Sequence, residues 1–81
     1  MKFIIIATKD ENKTQESFLP HMDAESDHAI MLYKEGFIRE LYSRTDGKGA
    51  IVIVEANDEK EALEKLSTLP FVKLGLLKLE I

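Results

Sequence analysis

Two charged residues, Glu25 and Arg39, have side chains that can carry out acid–base chemistry on a small organic acid. Glu25 is predicted at the edge of the buried stripe of a helix, where partial burial raises the pKa of a carboxyl group. Such a carboxylate can act as the general base that removes a proton from an acidic C–H. The alternative is a boundary carboxylate that only pairs with a nearby lysine or arginine.

Arg39 is predicted on a central strand of a β-sheet, where strict alternation places it on the same face as Leu41 and places Ile38 on the other face. A guanidinium in that position is costly unless an anion matches it. Arg39 can bind the carboxylate of a substrate or stabilise a developing enolate. It can equally pair inside the protein with Glu25 or Glu55, and the sequence leaves both hypotheses open.

Tyr42, Arg44 and His28 are the candidates for contacting a substrate. Tyr42 and Arg44 share the other face of the Arg39 strand, where a subunit interface is the main alternative. His21, Glu25 and His28 fall on one side of a predicted helix, and two imidazoles with a carboxylate can bind a divalent metal. Their spacing matches no zinc motif, so we predict no metal site.

Several other classes of chemistry have no support in the sequence. The chain has no cysteine, which excludes thiolate metal sites and cysteine nucleophiles. No glycine-rich phosphate loop follows a strand, and no serine has the sequence context of a nucleophile. We therefore expect a protein without a cofactor.

A predicted β-hairpin over residues 36–56 organises the chain. Residues 46–49 contain two glycines, which can take the positive φ of a tight turn, and they separate two runs rich in β-branched and aromatic residues. The second run, 50–54, is apolar on both faces and must be covered on both sides. We therefore expect this hairpin to hold the middle of the sheet.

The remaining pattern predicts the order β-α-β-β-α-β. A helix over 20–35 is predicted from a stripe formed by Met22, Ser26, Ala29 and Tyr33, which we expect to face the sheet. The order predicts an α+β, ferredoxin-like fold, with a four-stranded antiparallel sheet and both helices on one face. The predicted strands lie near residues 2–8, 37–45, 49–56 and 76–81, and the predicted helices near 20–35 and 58–68.

The size and charge of the chain limit its partners. Its 81 residues predict one domain, 1–81, and a net charge of −4 argues against nucleic-acid binding through phosphate neutralisation. No apolar run approaches the ~20 residues of a membrane span. The first strand has too short an apolar core for a signal peptide, so we expect a cytoplasmic protein with no membrane partner.

One face of the predicted sheet carries no helix and is expected to bind a second subunit. The two strands that are apolar on both faces would leave about five or six large side chains there, worth on the order of 10 kcal/mol of burial. That is as large as the stability of a small domain. We therefore predict a homo-oligomer, at least a dimer.

Two-thirds of the chain resembles the dimeric α/β-barrel group that contains muconolactone isomerase. The resemblance covers Glu25 and residues 33–46 (YKEGFIRELYSRTD), 49–56 (GAIVIVEA), 61–62 (EA) and 66–72 (LSTLPFV). It implies two sheets packed face to face into a barrel, with a small-molecule pocket between sheet and helices or at the subunit interface. It also implies a proton shift in an unsaturated lactone acid, with neither a metal nor an organic cofactor.

The expected function is therefore the binding or conversion of a small organic acid or lactone by proton transfer, with Glu25 and Arg39 as the catalytic pair. The alternative is a non-catalytic homo-oligomer that binds a small molecule or has a structural role.

Overall fold

The strands and long helices follow the predicted order, and the predicted α+β, ferredoxin-like fold is confirmed. The computed structural model describes residues 1–81. The elements are β1 (Lys2–Lys9), α1 (Gln15–Phe18), α2 (Met22–Lys34), β2 (Ile38–Ser43), β3 (Gly49–Glu55), α3 (Glu59–Leu66), α4 (Pro70–Lys73) and β4 (Leu77–Glu80), with a 3₁₀ turn, Leu19–His21, between α1 and α2.

The four strands form one antiparallel sheet in the order β2-β3-β1-β4. β3 and β1 are the central pair, with Ile5 opposite Val52 and Ala7 opposite Ala50. The expectation that the whole hairpin lies in the middle is wrong for its first strand, because β2 is an edge strand. The reason is that β1 is also apolar on both faces and takes the second central position.

A β-bulge at Arg39 changes which side chains of β2 point toward the helices. Ile38 pairs with Val54 and Glu40 pairs with Ile53, so Arg39 is the extra residue between two successive pairs. Ile38 is buried on the helix side of the sheet, and the prediction that it shares a face with Tyr42 is wrong. Arg39 is exposed and does not lie on a central strand.

Helix α2 turns a different stripe toward the sheet from the one predicted. Leu32 is only 3% exposed, whereas Tyr33 is 61% and Met22 is 49% exposed. The inward side runs through Glu25, Ala29 and Leu32, at the spacing i, i+4, i+7 that places residues on one face of a helix. The predicted stripe is therefore right for Ala29 and wrong for Met22 and Tyr33, and Glu25, predicted at its edge, lies on the inward side.

The helices cover one face of the sheet and enclose the core. Helix α3 is capped at its start, where a carboxylate oxygen of Asp58 accepts the backbone N–H of Glu61 at 2.8 Å. Phe18, in a short helix not predicted, packs edge-on against Phe71 with ring centroids 5.0 Å apart. The core residues are Ile5, Leu32, Phe37, Ile38, Val52, Val54, Ala56, Ala62, Leu66 and Leu69.

The opposite face of the sheet, which we call the outer face, carries no helix. Ile4 pairs with Ile53, and Ile6 pairs with Ile51, so these four side chains lie side by side across the central strands. Ile4 is 61% exposed and Ile6 is 40% exposed. The apolar surface predicted for this face is therefore present. No helix of the protein is long and apolar enough to cross a membrane.

Candidate functional site

A cleft of about 470 Å³ lies between α2 and the sheet, and we call it the α2 cleft. Glu25, Ala29 and Ile30 form its helical wall. The strands supply the opposite wall, and Lys9, the last residue of β1, also borders the opening. Its lining from the sheet is Leu41, Ser43, Gly49, Ala50 and Leu77.

A smaller apolar chamber of about 70 Å³ lies behind the α2 cleft. Eleven of its twelve lining residues are hydrophobic, and Glu25 is the exception. Ala29 and Leu41 line both spaces, as Glu25 does. The carboxyl group of Glu25 is therefore the one charged group that borders both the cleft and the chamber.

The Glu25 carboxylate is half-buried and held in place. One of its oxygens, Oε1, accepts the backbone N–H of Phe71 at 2.9 Å. Burial raises the pKa of Glu25, although the Phe71 hydrogen bond and the nearby His28 oppose that rise. A carboxyl group with a raised pKa holds a proton more readily near neutral pH, which is what a group that both accepts and returns a proton requires.

Lys9 is the cation of the α2 cleft, a role that was not predicted for it. It pairs with Leu77 at the end of β1, and its Nζ lies 5.6 Å from the centre of the Phe18 ring. A signal was available, because Phe3, Ile5 and Ala7 alternate onto the helix side and Lys9 continues that series. The predicted first strand ends near residue 8 and therefore leaves Lys9 outside the sheet.

Arg39 does not border the α2 cleft. Its Nε donates a hydrogen bond to the backbone oxygen of Gly36 at 2.7 Å, and its positive charge helps to lower the pKa of Glu55. The strongest cause of that lowering is the hydrogen bond from the terminal ammonium of Met1. The structure thus separates Glu25 from Arg39, because the bulge places the arginine on the exposed edge of the sheet.

Tyr42 and Arg44 also lie away from the α2 cleft. The Tyr42 hydroxyl donates to the carboxylate of Glu40, and that bond raises the pKa of the tyrosine. The Arg44 guanidinium donates to Thr8 Oγ1 at 2.8 Å and forms an ion pair with Asp46 at 2.6 Å. The Tyr42 hydroxyl and the Arg44 guanidinium are therefore already hydrogen-bonded within the chain.

His28 points to a separate pocket that it shares with His21 and Lys73. The Thr68 hydroxyl donates to the backbone oxygen of Lys65 at 2.6 Å, and His28 Nε2 lies 2.6 Å from the same hydroxyl oxygen. Nε2 therefore carries the hydrogen of that second bond, because a hydroxyl has one hydrogen to donate. No three histidine, cysteine or acidic side chains come together as a set of metal ligands.

Comparison with known proteins supports the architecture. No family model matches the sequence, and no curated protein matches it. A solved structure, 5-chloro-2-hydroxyhydroquinone dehydrochlorinase from Burkholderia phenoliruptrix in complex with 2,5-dihydroxybenzoquinone, is similar with a TM-score of 0.74 and 22% identity. The match covers 100% of this chain and 92% of that one. The two chains share a fold. At this identity the likeness extends no further than the fold.

Proposed function

We propose that the protein binds a small organic acid or lactone in the α2 cleft and that Glu25 moves a proton on it. The observation that carries this proposal is the position of Glu25, whose carboxyl group borders both the cleft and the apolar chamber and has a pKa raised by burial. Volumes of a few hundred Å³ with mainly apolar walls and few polar groups are typical of small-molecule sites.

The hydrogen bond from Phe71 leaves one oxygen of Glu25 free for the chemistry. Oε1 accepts the Phe71 N–H, so Oε2 is the atom that takes a proton from an acidic C–H of the bound molecule. The same oxygen then returns the proton to another carbon of the conjugated system. The electron pair of the broken C–H bond moves the double bond, so that neither an oxidant nor a metal takes part.

Lys9 takes the role that the sequence analysis gave to Arg39. An ammonium group at the rim of the cleft can bind the carboxylate of the ligand and stabilise negative charge that develops as the C–H bond breaks. The apolar chamber would receive the hydrocarbon part of the molecule. Lys9 and Glu25 then act at opposite ends of one ligand.

Two further observations support this class of ligand. The sequence resembles the muconolactone isomerase group, whose type reaction is a proton shift in a lactone acid. The structurally similar protein is a dehydrochlorinase solved with a dihydroxybenzoquinone, which is a small oxygenated ring. Both are compatible with a cleft of this volume, and neither identifies the substrate of this chain.

The second candidate is a non-catalytic oligomer that binds a small molecule. In that case the half-buried Glu25 carboxylate would serve only to accept the backbone N–H of Phe71.

The apolar outer face favours assembly whether or not the protein is an enzyme. We propose that two copies pack their outer faces together. The cytoplasmic location stays a prediction, which cell fractionation would test.

The test uses proton exchange, because it does not require the natural substrate. The protein is incubated in deuterated buffer with a panel of unsaturated lactone acids and 2,5-dihydroxybenzoquinone, and NMR follows loss of the ligand C–H signals. We expect exchange with at least one compound, its loss in Glu25→Gln, and its retention in Glu64→Gln, an exposed helical glutamate. Ligand binding, measured by saturation transfer, should survive Glu25→Gln because the amide keeps the shape of the side chain.

A matched pair of cation variants completes the test. Lys9→Gln should weaken binding about tenfold, as expected when a cation bound to a carboxylate is removed, whereas Arg39→Gln should change it less than about twofold. Exchange that persists in Glu25→Gln would contradict the catalytic role. Binding without exchange in the unmodified protein would favour the non-catalytic candidate.

A further inference from the structure

Four lysines surround a second cavity, of about 480 Å³, which we call the lysine pocket. It lies at the end of β1 and beside the β2–β3 turn, where the backbone N–H of Lys9 donates to the backbone oxygen of Lys48 at 2.7 Å. The lysines are Lys9, Lys13, Lys48 and Lys78, and none of its nine lining residues is hydrophobic.

The residues that line the lysine pocket carry more positive than negative charge. None of its four lysines forms an ion pair, although Lys60 and Lys65 elsewhere do. Asp10 and Glu11 also line the pocket, so its lining contains four lysines and two acidic residues, an excess of two positive charges. Asp10 is partly engaged already, because its Oδ1 accepts the backbone N–H of Asn12 at 2.9 Å.

This local charge is opposite to the net charge of −4 of the whole chain. Like charges gathered without partners repel one another and create a positive potential over the pocket. A bound anion with two negative charges would remove that repulsion and match the remaining charge. The pocket therefore has the electrostatic character of a binding site for a dianion.

An apolar surface adjoins the lysine pocket. Lys9 and Lys13 also line a cavity of about 260 Å³, whose hydrophobic walls are Phe18, Met22 and Phe71. A ligand with its charged group among the lysines can lay an aromatic or aliphatic part on these side chains without leaving the surface. Two adjoining cavities of opposite character favour a ligand with both a charged group and an apolar body.

We propose that the lysine pocket binds the phosphoryl group of a small phosphorylated molecule whose apolar part lies on Phe18 and Phe71. A phosphate monoester carries about −1.5 to −2 charges at neutral pH, which matches the excess in the pocket. Lysine ammonium groups bind phosphoryl oxygens as point charges, as the lysine of phosphate-binding loops does. All four cations here are lysines.

The test is an NMR titration of the whole protein with phenyl phosphate and with inorganic phosphate, at ionic strength held constant with chloride. We expect shifts in the backbone signals of residues 9–13 and 47–48, with phenyl phosphate binding several-fold more tightly because its ring gains the apolar contact. The double variant Lys48→Gln, Lys78→Gln should weaken the binding of phenyl phosphate and of inorganic phosphate about tenfold or more. The control is the double variant Lys2→Gln, Lys34→Gln, which removes the same charge from residues outside the pocket, and it should weaken binding less than about twofold.

Three results would overturn the proposal. Equal weakening in both double variants would show an effect of net charge alone. Binding unchanged by loss of Lys48 and Lys78 would exclude the pocket. Malonate binding as tightly as phenyl phosphate would contradict the phosphoryl assignment. Neither Lys48 nor Lys78 borders the α2 cleft, so the proton exchange that depends on Glu25 should persist in this variant, and the two proposals can fail separately.

Discussion

A carboxylate oxygen of Glu25, in the first turn of α2, accepts the backbone N–H of Phe71, in the first turn of α4, at 2.9 Å. The first N–H groups of a helix have no partner within it, and α4 has no side-chain cap of its own. Glu25 therefore caps α4 from another part of the chain. The same contact fixes the carboxylate at the α2 cleft, so one residue serves the fold and the candidate site.

Glu25 should make the stability of the protein depend on pH. Burial raises its pKa in the folded state, so the folded protein holds this proton more tightly than the unfolded chain, where glutamate titrates near about pH 4.3. Its contribution is complete below the unfolded pKa and is lost as the pH rises through the folded pKa. The stability of Glu25→Gln relative to the unmodified protein should therefore increase as the pH rises above the unfolded pKa, as urea unfolding at a series of pH values would measure. Glu64→Gln should leave the pH dependence of the free energy of unfolding nearly unchanged. An increase in stability as large as that of Glu25→Gln would contradict the view that burial raises the pKa of Glu25.

The orientation of α2 can be tested with two adjacent residues. Leu32→Ala should lower the free energy of unfolding by roughly 2–5 kcal/mol because it leaves a cavity in the core. Tyr33→Ala, at an exposed position, should change it by less than about 0.5 kcal/mol. Urea unfolding followed by circular dichroism measures both, and a single domain over 1–81 should show one cooperative transition. A larger loss of unfolding free energy in Tyr33→Ala than in Leu32→Ala would favour the stripe that the sequence predicted.

The outer face should hold a dimer together. Ile4→Glu places a charge in the centre of that face, where the side chain is 61% exposed in the single chain, so the fold should survive. We expect sedimentation to show a dimer for the unmodified protein and a monomer for Ile4→Glu, because a buried, unpaired carboxylate is costly. Ile30→Glu, at an exposed position on α2, is the matched control and should remain dimeric. A stable monomer of the unmodified protein at micromolar concentration would contradict the proposal.

Gly49 should be far less tolerant of substitution than Gly47, although both lie in one turn. A Cβ on Gly49 would lie 1.9 Å from the backbone oxygen of Ala7, and its φ of +151° is itself unfavourable for other residues. Gly49→Ala should therefore lower the free energy of unfolding by roughly 3 kcal/mol or more. A Cβ on Gly47 meets nothing within 4 Å, so Gly47→Ala should cost only the backbone strain, about 1–2 kcal/mol. Thermal unfolding of the two variants measures the difference, and equal losses would contradict the contact with β1.

The sequence predicted the elements well because their signals are local. Runs of β-branched residues, the glycines of the turn and the Asp58 cap each act within a few residues, and the structure contains all of them. Gly36 follows α2 with a φ of +87°, a conformation that glycine commonly adopts at the end of a helix. These features depend on steric and hydrogen-bonding rules that a single segment obeys by itself.

The candidate site was predicted only in part, because it depends on how segments meet. Glu25 was selected from its position at the edge of a helical stripe, and burial raises its pKa as expected. Lys9 was missed because the length of β1 is set by its pairing with Gly49–Glu55 and Leu77–Glu80, which lie far along the chain. Tyr33 and Leu32 compete for the inward side of α2, and only packing against the finished sheet decides between them.

The bulge at Arg39 also bears on how this chain should be aligned with others. A strand lacking Arg39 would alternate without interruption, with Ile38 and Leu41 toward the helices and Glu40 and Tyr42 outward, as they lie now. One residue could therefore be removed here while the cleft and the outer face keep their side chains. An ungapped alignment across this point would assign one side of β2 to the wrong face, and inferences about ligand contacts in distant homologues would inherit that error.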